Sequence, residues 1–153
     1  MRISRTYLTD NSASRERLRT ILGRLAESDF SLQVGHGWTI GATLAHLAFW
    51  DRRLLGRLEE WAKDGPQSVR IVPTNFDQVN DGMLREWLLA SPRDIVLEVA
   101  AAAEAVDGKL ESLSPDLAGA IAAVSPRSLD RSLHRGDHLG DIERALEGSH
   151  PTR

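Results

Sequence analysis

Apolar positions recur at helical intervals along most of the chain, and no segment alternates convincingly in the manner of a strand. The clearest pattern follows Thr39 and repeats at spacings of four and three residues: Ile40, Leu44, Leu47, Asp51, Leu54, Leu58 and Trp61. This spacing predicts one long amphipathic helix over residues 40–63, closed by Gly65 and Pro66. One position in the stripe is a carboxylate.

Four further helices are predicted at residues 12–28, 76–90, 91–113 and 128–147. Asp10, Asn11 or Ser12 is expected to cap the first, and Gly148 is expected to end the last. Ser91 and Pro92 are typical of the cap and first position of a helix.

The third predicted helix carries an apolar stripe of Phe76, Val79, Met83 and Trp87. The segment 114–128 contains two Ser-Pro pairs and is predicted as a break between the last two helices. Five helices with short connections favour an all-α fold, namely an antiparallel four-helix bundle with one accessory helix. We expect a single domain over residues 1–153, with flexible ends at 1–10 and 148–153.

Composition narrows the function classes. The chain has 153 residues, a net charge of −3 and no basic stripe, which disfavours nucleic acid as a partner. No apolar run approaches the length of a membrane span, and the N-terminus lacks the apolar core of a signal peptide, so we expect a soluble, cytoplasmic protein that does not bind membranes. The absence of cysteine excludes disulfides, thiolate zinc sites and a protein thiol nucleophile.

Three histidines are candidates for a metal site. His134 and His138 lie four residues apart, so on a helix both imidazoles leave one face. His46 lies in the most apolar helix and is the candidate third ligand. Three imidazoles with an open fourth position are typical of catalytic metal sites. The alternatives are two solvated histidines and a hydrogen-bonded core histidine.

Two longer segments, "GWTIGATLAHLAFWDRRLLGRL" and "LHRGDHLGDIERAL", resemble the second-helix and last-helix motifs of the DinB/YfiT-like superfamily. This superfamily includes the N-terminal domains of mycothiol-dependent maleylpyruvate isomerases. "NFDQVN" is similar to the asparagine-containing stretch between them, and the resemblance covers residues 12–146.

The resemblance implies a four-helix bundle with a divalent transition metal, zinc or nickel first, held by His46, His134 and His138. It also implies a low-molecular-weight thiol cosubstrate such as mycothiol or bacillithiol, and it suggests a homodimer. Gly136 departs from the pattern, because glycine within a helix costs about 1 kcal/mol relative to alanine. A close approach by another helix or a ligand is one explanation.

Four more residues are candidates near such a centre. Asp51 and Asp141 are candidate catalytic carboxylates, and Trp50 and Asn80 are candidate substrate contacts. The alternatives are an arginine partner for Asp51, a solvated position for Asp141 and a core position for Trp50. Asp137 is expected to be exposed and to point away from the site.

The leading functional hypothesis is therefore a metal-dependent, thiol-dependent transferase or isomerase that acts on a small-molecule substrate. A non-catalytic helical bundle that serves as a binding module is the first alternative. A metal-dependent hydrolase, in which Asp51 or Asp141 orients a water molecule, is the second.

Overall fold

A computed structural model describes residues 4–149, and most of them are helical. The helices of this region are α1 (Thr6–Arg24), α2 (Ile40–Asp64), α3 (Phe76–Leu89), α4 (Pro92–Ser112), α5 (Pro115–Val124) and α6 (Ser132–Ser149). A small antiparallel ribbon, β1 (Gln33–Gly35) and β2 (Trp38–Thr39), precedes α2. The prediction of an all-α fold is confirmed. Within residues 4–149 no helix has both the length and the apolar character needed to cross a membrane.

Helices α1, α2, α4 and α6 form the four-helix core, with α1 and α2 each contacting both α4 and α6. Two contacts between each pair of helices show their relative directions. Between α1 and α4 these are Arg5–Glu111 and Arg19–Glu104, and between α1 and α6 they are Asn11–Arg135 and Arg17–Glu143. Between α2 and α6 they are His46–His134 and Asp51–Arg131. Thus α1 is antiparallel to α4, α2 is antiparallel to α6, and α1 runs parallel to α6. The helices α2 and α4 also run in the same direction, because α3 lies between them in the chain and runs back along α2. The predicted bundle is therefore antiparallel for some pairs of helices and parallel for others.

Helix α2 matches its predicted pattern over its whole length. All seven positions of the predicted stripe are buried. Thr39 caps the helix by accepting a hydrogen bond from the backbone N–H of Ala42 at 3.1 Å. Gly65 ends it with a φ of 97°, a value that favours glycine. The second helix was therefore predicted correctly in both extent and orientation.

Helix α3 matches in extent but only partly in burial. Trp87 is buried, whereas Phe76 is 59% exposed and Val79 and Met83 are half-buried. The reason is that α3 packs mainly on α2, outside the four-helix core. It forms one wall of the pocket described below.

Helix α1 begins earlier than predicted. It starts at Thr6, and Tyr7 is already buried, so residues 6–10 are helical and not the flexible end that was expected. The proposed cap Asn11 instead lies inside the helix. Its side chain donates to the Leu129 carbonyl at 2.9 Å and accepts from the Arg131 N–H at 2.7 Å, which secures the chain just before α6. Residues 1–3 and 150–153 lie outside the described residues.

The segment 114–128 was wrongly predicted as a break, because it contains α5. Its first Ser-Pro pair starts the helix: Ser114 Oγ accepts from the Leu117 N–H at 3.2 Å, and Pro115 takes the first position. The second Ser-Pro pair ends it. The bundle therefore has two accessory helices, α3 and α5.

The start and end of α6 also differ from the prediction. The helix begins at Ser132 rather than 128, after a 3-10 turn over Pro126–Ser128. Gly148, expected to end the helix, lies inside it.

A layer of buried charge divides the core. One apolar cluster includes Leu44, Val99 and Leu139, and the other includes Leu58, Leu110 and Ile121. Asp51 of α2, Asp107 of α4 and Arg135 of α6 make up this layer, and all three are at most 5% exposed.

Arg135 is the centre of that layer. Its Nη1 and Nη2 each donate to one oxygen of Asp107 at 2.8 Å, and Nη2 also lies 3.3 Å from Asp51 Oδ2. Arg15 of α1 adds a 2.7 Å contact to Asp107, and Arg131 contacts Asp51 at 2.9 Å. Buried charges of this kind are tolerated only when they are paired and hydrogen-bonded.

Replacing one partner should therefore be costly. We expect Asp107→Ala to lower the free energy of unfolding by about 3–5 kcal/mol, because it leaves Arg135 buried without its bidentate partner. Urea denaturation followed by circular dichroism measures the change. Glu104→Ala is the control and should have a much smaller effect. Glu104 lies on α4, like Asp107, but it is exposed and pairs with Arg19 of α1. Equal effects of the two substitutions would contradict the prediction.

Candidate metal centre

The three predicted histidines meet in the folded chain. His46 of α2 and His134 and His138 of α6 each offer a ring nitrogen, and these atoms all lie within 4.8 Å of one another. Nε2 of His46 and Nε2 of His134 are 3.0 Å apart. In a tetrahedral site with metal–nitrogen bonds of about 2.0–2.1 Å, ligand nitrogens lie about 3.3 Å apart. The spacing of the His46–His134 pair is therefore close to what one ion requires.

Aromatic rings enclose the imidazoles. Trp38 meets His46 edge-on at 4.9 Å between centroids and lies parallel to His138 at 6.4 Å, while Trp87 meets His46 at 5.2 Å. Trp38 lies at the start of β2, directly after the turn of the β1–β2 ribbon. In this turn His36 and Gly37 have positive φ angles of 54° and 80°. These contacts restrict the rotation of the imidazoles and keep one side of the site apolar.

The hydrogen bonds around His134 define its tautomer. Arg131 Nη2 lies 3.3 Å from His134 Nδ1, and because arginine only donates, Nδ1 must be the acceptor. His134 then carries its proton on Nε2 and donates it to His46 Nε2. His46 in turn carries its proton on Nδ1, which is buried and has no hydrogen-bond partner among the described residues. A buried donor of this kind is rare.

All three imidazoles are held in the neutral form. Burial lowers the pKa of His46 to about 3, with the neighbouring His138 and Arg131 adding to the effect and Asn80 opposing it. Burial and the Arg131 charge lower the pKa of His134 to about 2. Burial also lowers the pKa of His138, against the opposing charges of Asp141 and Asp137. Neutral imidazole is the form that binds a metal.

These residues fit a divalent transition ion. The convergent nitrogens and the neutral imidazoles are the features in favour. One contact argues against metal binding in this geometry. If His134 bound the metal through Nε2, its proton would be on Nδ1 and would face Arg131, which is also a donor. Metal-bound histidines usually direct that proton to a carboxylate or carbonyl. The 3.3 Å contact would therefore have to be given up, while Asp51 continues to hold Arg131 through Nε.

The histidines line a cavity of about 970 Å³. Trp50 and Asn80, the predicted substrate contacts, line it as well, and Trp50 Nε1 donates to Asn80 Oδ1 at 2.9 Å. This bond ties α3 to α2 beside the metal centre. The volume is that of a small-molecule site, for which roughly 300–1,000 Å³ is typical.

The two candidate catalytic carboxylates are placed differently. Asp51 is buried, makes ion pairs with Arg131 and Arg135, and is not among the cavity-lining residues, so the arginine-paired alternative is the one observed. Asp141 lines the cavity and makes an ion pair with Arg144. Asp137 is exposed, but the expectation that it points away was wrong, because it too lines the cavity.

Sequence reasoning missed several residues of the site. Trp38 and Arg131 were not singled out, and Trp87 was assigned only to an apolar stripe. Two arginines, Arg53 and Arg57, also line the cavity. One signal was available for these two, since His46, Trp50, Arg53 and Arg57 form a second stripe one residue before the buried one on α2.

The comparisons with known proteins agree with this structure. The family model described as DinB superfamily matches residues 11–144. Since this match covers most of the chain, the protein belongs to the DinB superfamily. No curated protein and no solved structure matches the chain. A three-histidine group in a DinB-like bundle fits a metal-binding protein.

The metal site is directly testable. We expect about one equivalent of a divalent transition metal per chain in tag-free protein, and its loss in His46→Ala and His138→Ala, since each removes one of three ligands. Elemental analysis after dialysis gives the stoichiometry. His36→Asn removes a cavity histidine that lies outside the cluster, and this variant should leave the metal bound. Asparagine is the chosen replacement because it tolerates the positive φ of this position. A wild-type protein that holds no metal after reconstitution would contradict the site.

Gly136 gives a second prediction. A Cβ atom there would meet only Arg17 Nη1, at 3.9 Å, so neither a neighbouring helix nor the imidazoles require glycine. We expect Gly136→Ala to raise the free energy of unfolding by about 1 kcal/mol and to leave metal content unchanged.

Gly41→Ala is the matched control for that substitution. A Cβ there would lie 3.2 Å from the Phe30 carbonyl oxygen and 3.3 Å from Ile95 Cδ1, so this variant should be destabilised. Chemical denaturation of both variants tests the difference. A destabilised Gly136→Ala would show that the glycine has a role that the packing does not reveal.

Proposed function

We propose that this protein is a metal-dependent enzyme, a thiol-dependent transferase or isomerase that acts on a small molecule. The observation that carries the proposal is that the three imidazoles converge on the wall of a cavity large enough for a substrate and a cosubstrate. A divalent ion held there would lower the pKa of a thiol or water molecule that it binds. Because the chain contains no cysteine, the thiol must arrive with the cosubstrate.

The chain's own residues supply position and environment. Trp38 and Trp87 fix the imidazoles and exclude water from one side. Trp50 and Asn80 form a hydrogen-bonded pair on the cavity wall, where the Asn80 amide N–H groups remain available to orient a carbonyl or carboxylate. Asp51 acts on the site only through Arg131, and it is therefore a positioning residue.

Metal-dependent hydrolysis is the second candidate. The observation that favours it is the presence of Asp137 and Asp141 on the cavity wall next to His138, where a carboxylate could accept a proton from a water molecule. Thiol dependence of turnover separates the two proposals. A non-catalytic binding module would show neither reaction.

Turnover should depend on both the metal and the thiol. We expect metal-loaded protein to consume mycothiol or bacillithiol in the presence of a small electrophile, or to isomerise maleylpyruvate only when the thiol is added. Mass spectrometry of the products and loss of free thiol provide the readouts. His46→Ala should reduce the rate by at least about 100-fold, since metal assistance supplies several kcal/mol of barrier lowering.

Glu104→Ala, at an exposed position of α4 outside the cavity, is the control and should keep its activity. Turnover of an ester or amide without any thiol would favour the hydrolase. Absence of turnover with every thiol, in protein shown to contain its metal, would contradict the proposed transferase or isomerase.

A further inference from the structure

The cavity has a second polar region, distinct from the histidines. Five arginines and three aspartates line it, although the chain as a whole carries a net charge of −3. The arginines are Arg53, Arg57, Arg70, Arg127 and Arg131. Two of the aspartates, Asp137 and Asp141, belong to the same turns of α6 as the histidines, so the remainder of the cavity is strongly basic.

Four of these arginines lack a partner. Arg131 is paired with Asp51, but Arg53, Arg57, Arg70 and Arg127 make no ion pair within residues 4–149. They come from three separate parts of the chain: α2, the connection after α2, and the 3-10 turn before α6. Arg53, Arg70 and Arg127 are exposed and Arg57 is half-buried, so all four guanidinium groups are accessible to an anion that enters the cavity.

Arg53 and Arg57 are the most constrained of the four. The Arg53 guanidinium lies 5.4 Å from the centroid of Trp50 and 5.7 Å from that of Phe49, which is within the range of a cation–π contact. Arg57 follows one turn later on the same face and is half-buried. Burial and the neighbouring Arg53 lower the pKa of Arg57, while Glu60 partly offsets the effect. A bound anion would relieve this repulsion.

We infer that Arg53 and Arg57, supported by Arg70 and Arg127, form an oxyanion-binding subsite for a carboxylate or phosphate group on the small-molecule ligand. Arginine's planar fork binds either group with two parallel hydrogen bonds. The inference rests on the proposed function only for the position of the ligand's other, reacting end at the histidines.

The two regions are also separated along α2. Arg53 and Arg57 lie seven and eleven residues after His46 on α2, which corresponds to about 10 and 16 Å along the helix axis. Trp50, Phe76 and Leu133 line the cavity as well and supply apolar surface. The ligand class is therefore an extended organic anion whose charged group is remote from the reacting atom.

The subsite can be tested without a metal and without a known substrate. Isothermal titration of metal-free protein at constant ionic strength would use succinate, inorganic phosphate and the neutral analogue succinamide as probes. We expect at least one of the two anions to bind and succinamide not to bind. The anion that binds more tightly distinguishes a carboxylate from a phosphate as the natural group.

The variants localise the binding. Arg53→Gln and Arg57→Gln should each weaken anion binding about tenfold or more, the usual effect of removing a charged hydrogen-bond donor. Arg93→Gln is the matched control, because Arg93 is an exposed arginine of α4 that does not line the cavity, and it should leave the affinity unchanged. Equal affinity of the wild type and both cavity variants, binding of succinamide as tight as that of the anions, or binding of neither anion would overturn the inference.

Metal content, measured on separately reconstituted samples of the same variants, separates this inference from the proposed function. His46→Ala should lose its metal and still bind the anion, and Arg57→Gln should keep its metal and lose the anion. A wild type that binds the anion but no metal would leave the subsite in place and remove the proposed enzyme. A wild type that binds the metal but neither anion would remove the subsite alone.

Discussion

Arg135 is the interaction on which the rest of the structure depends. Its guanidinium is 1% exposed and reaches Asp107 of α4, Asp51 of α2 and the Asn11 carbonyl of α1, so a single side chain of α6 touches all the other core helices. A buried charge is acceptable only where its partners are positioned to meet it. The layer therefore disfavours any sliding of one core helix against the others, which the two apolar clusters alone would tolerate.

The same layer connects the fold to the metal centre. Asp51 holds Arg131 as well as Arg135, and Arg131 contacts Nδ1 of His134. The register of α6 against α2 is thus set one turn away from the point where His134 meets His46. A stripe position that would ordinarily be apolar is a carboxylate here, and its two ion pairs join α2 to α6 in this register. Because Asp51 lies in the buried stripe of α2 and pairs with Arg131 and Arg135, it does not reach the cavity.

The site combines an imidazole region and a cationic region in one cavity. Three neutral imidazoles with apolar walls suit a transition ion, and unpaired arginines farther along α2 suit an anion. Each region uses positions of α2 that lie one residue before the buried stripe. A single helix therefore supplies core packing on one face and contributes residues to both polar regions of the cavity from the adjacent face.

The sequence by itself determined the extent of α2, the burial of its whole stripe and the pairing of His134 with His138 on one face, because helical periodicity is a local property of the chain. It suggested the third ligand, His46, only through resemblance and position. The structure decided that Asp51 pairs with arginines, that Asp137 faces the cavity and that α5 is a helix. It also brought Arg57, Arg70 and Arg127 together. Periodicity shows which face of a helix is buried. Ion pairs and cavities depend on which other helix that face meets. That contact forms only in the folded protein, between residues that are far apart in the chain.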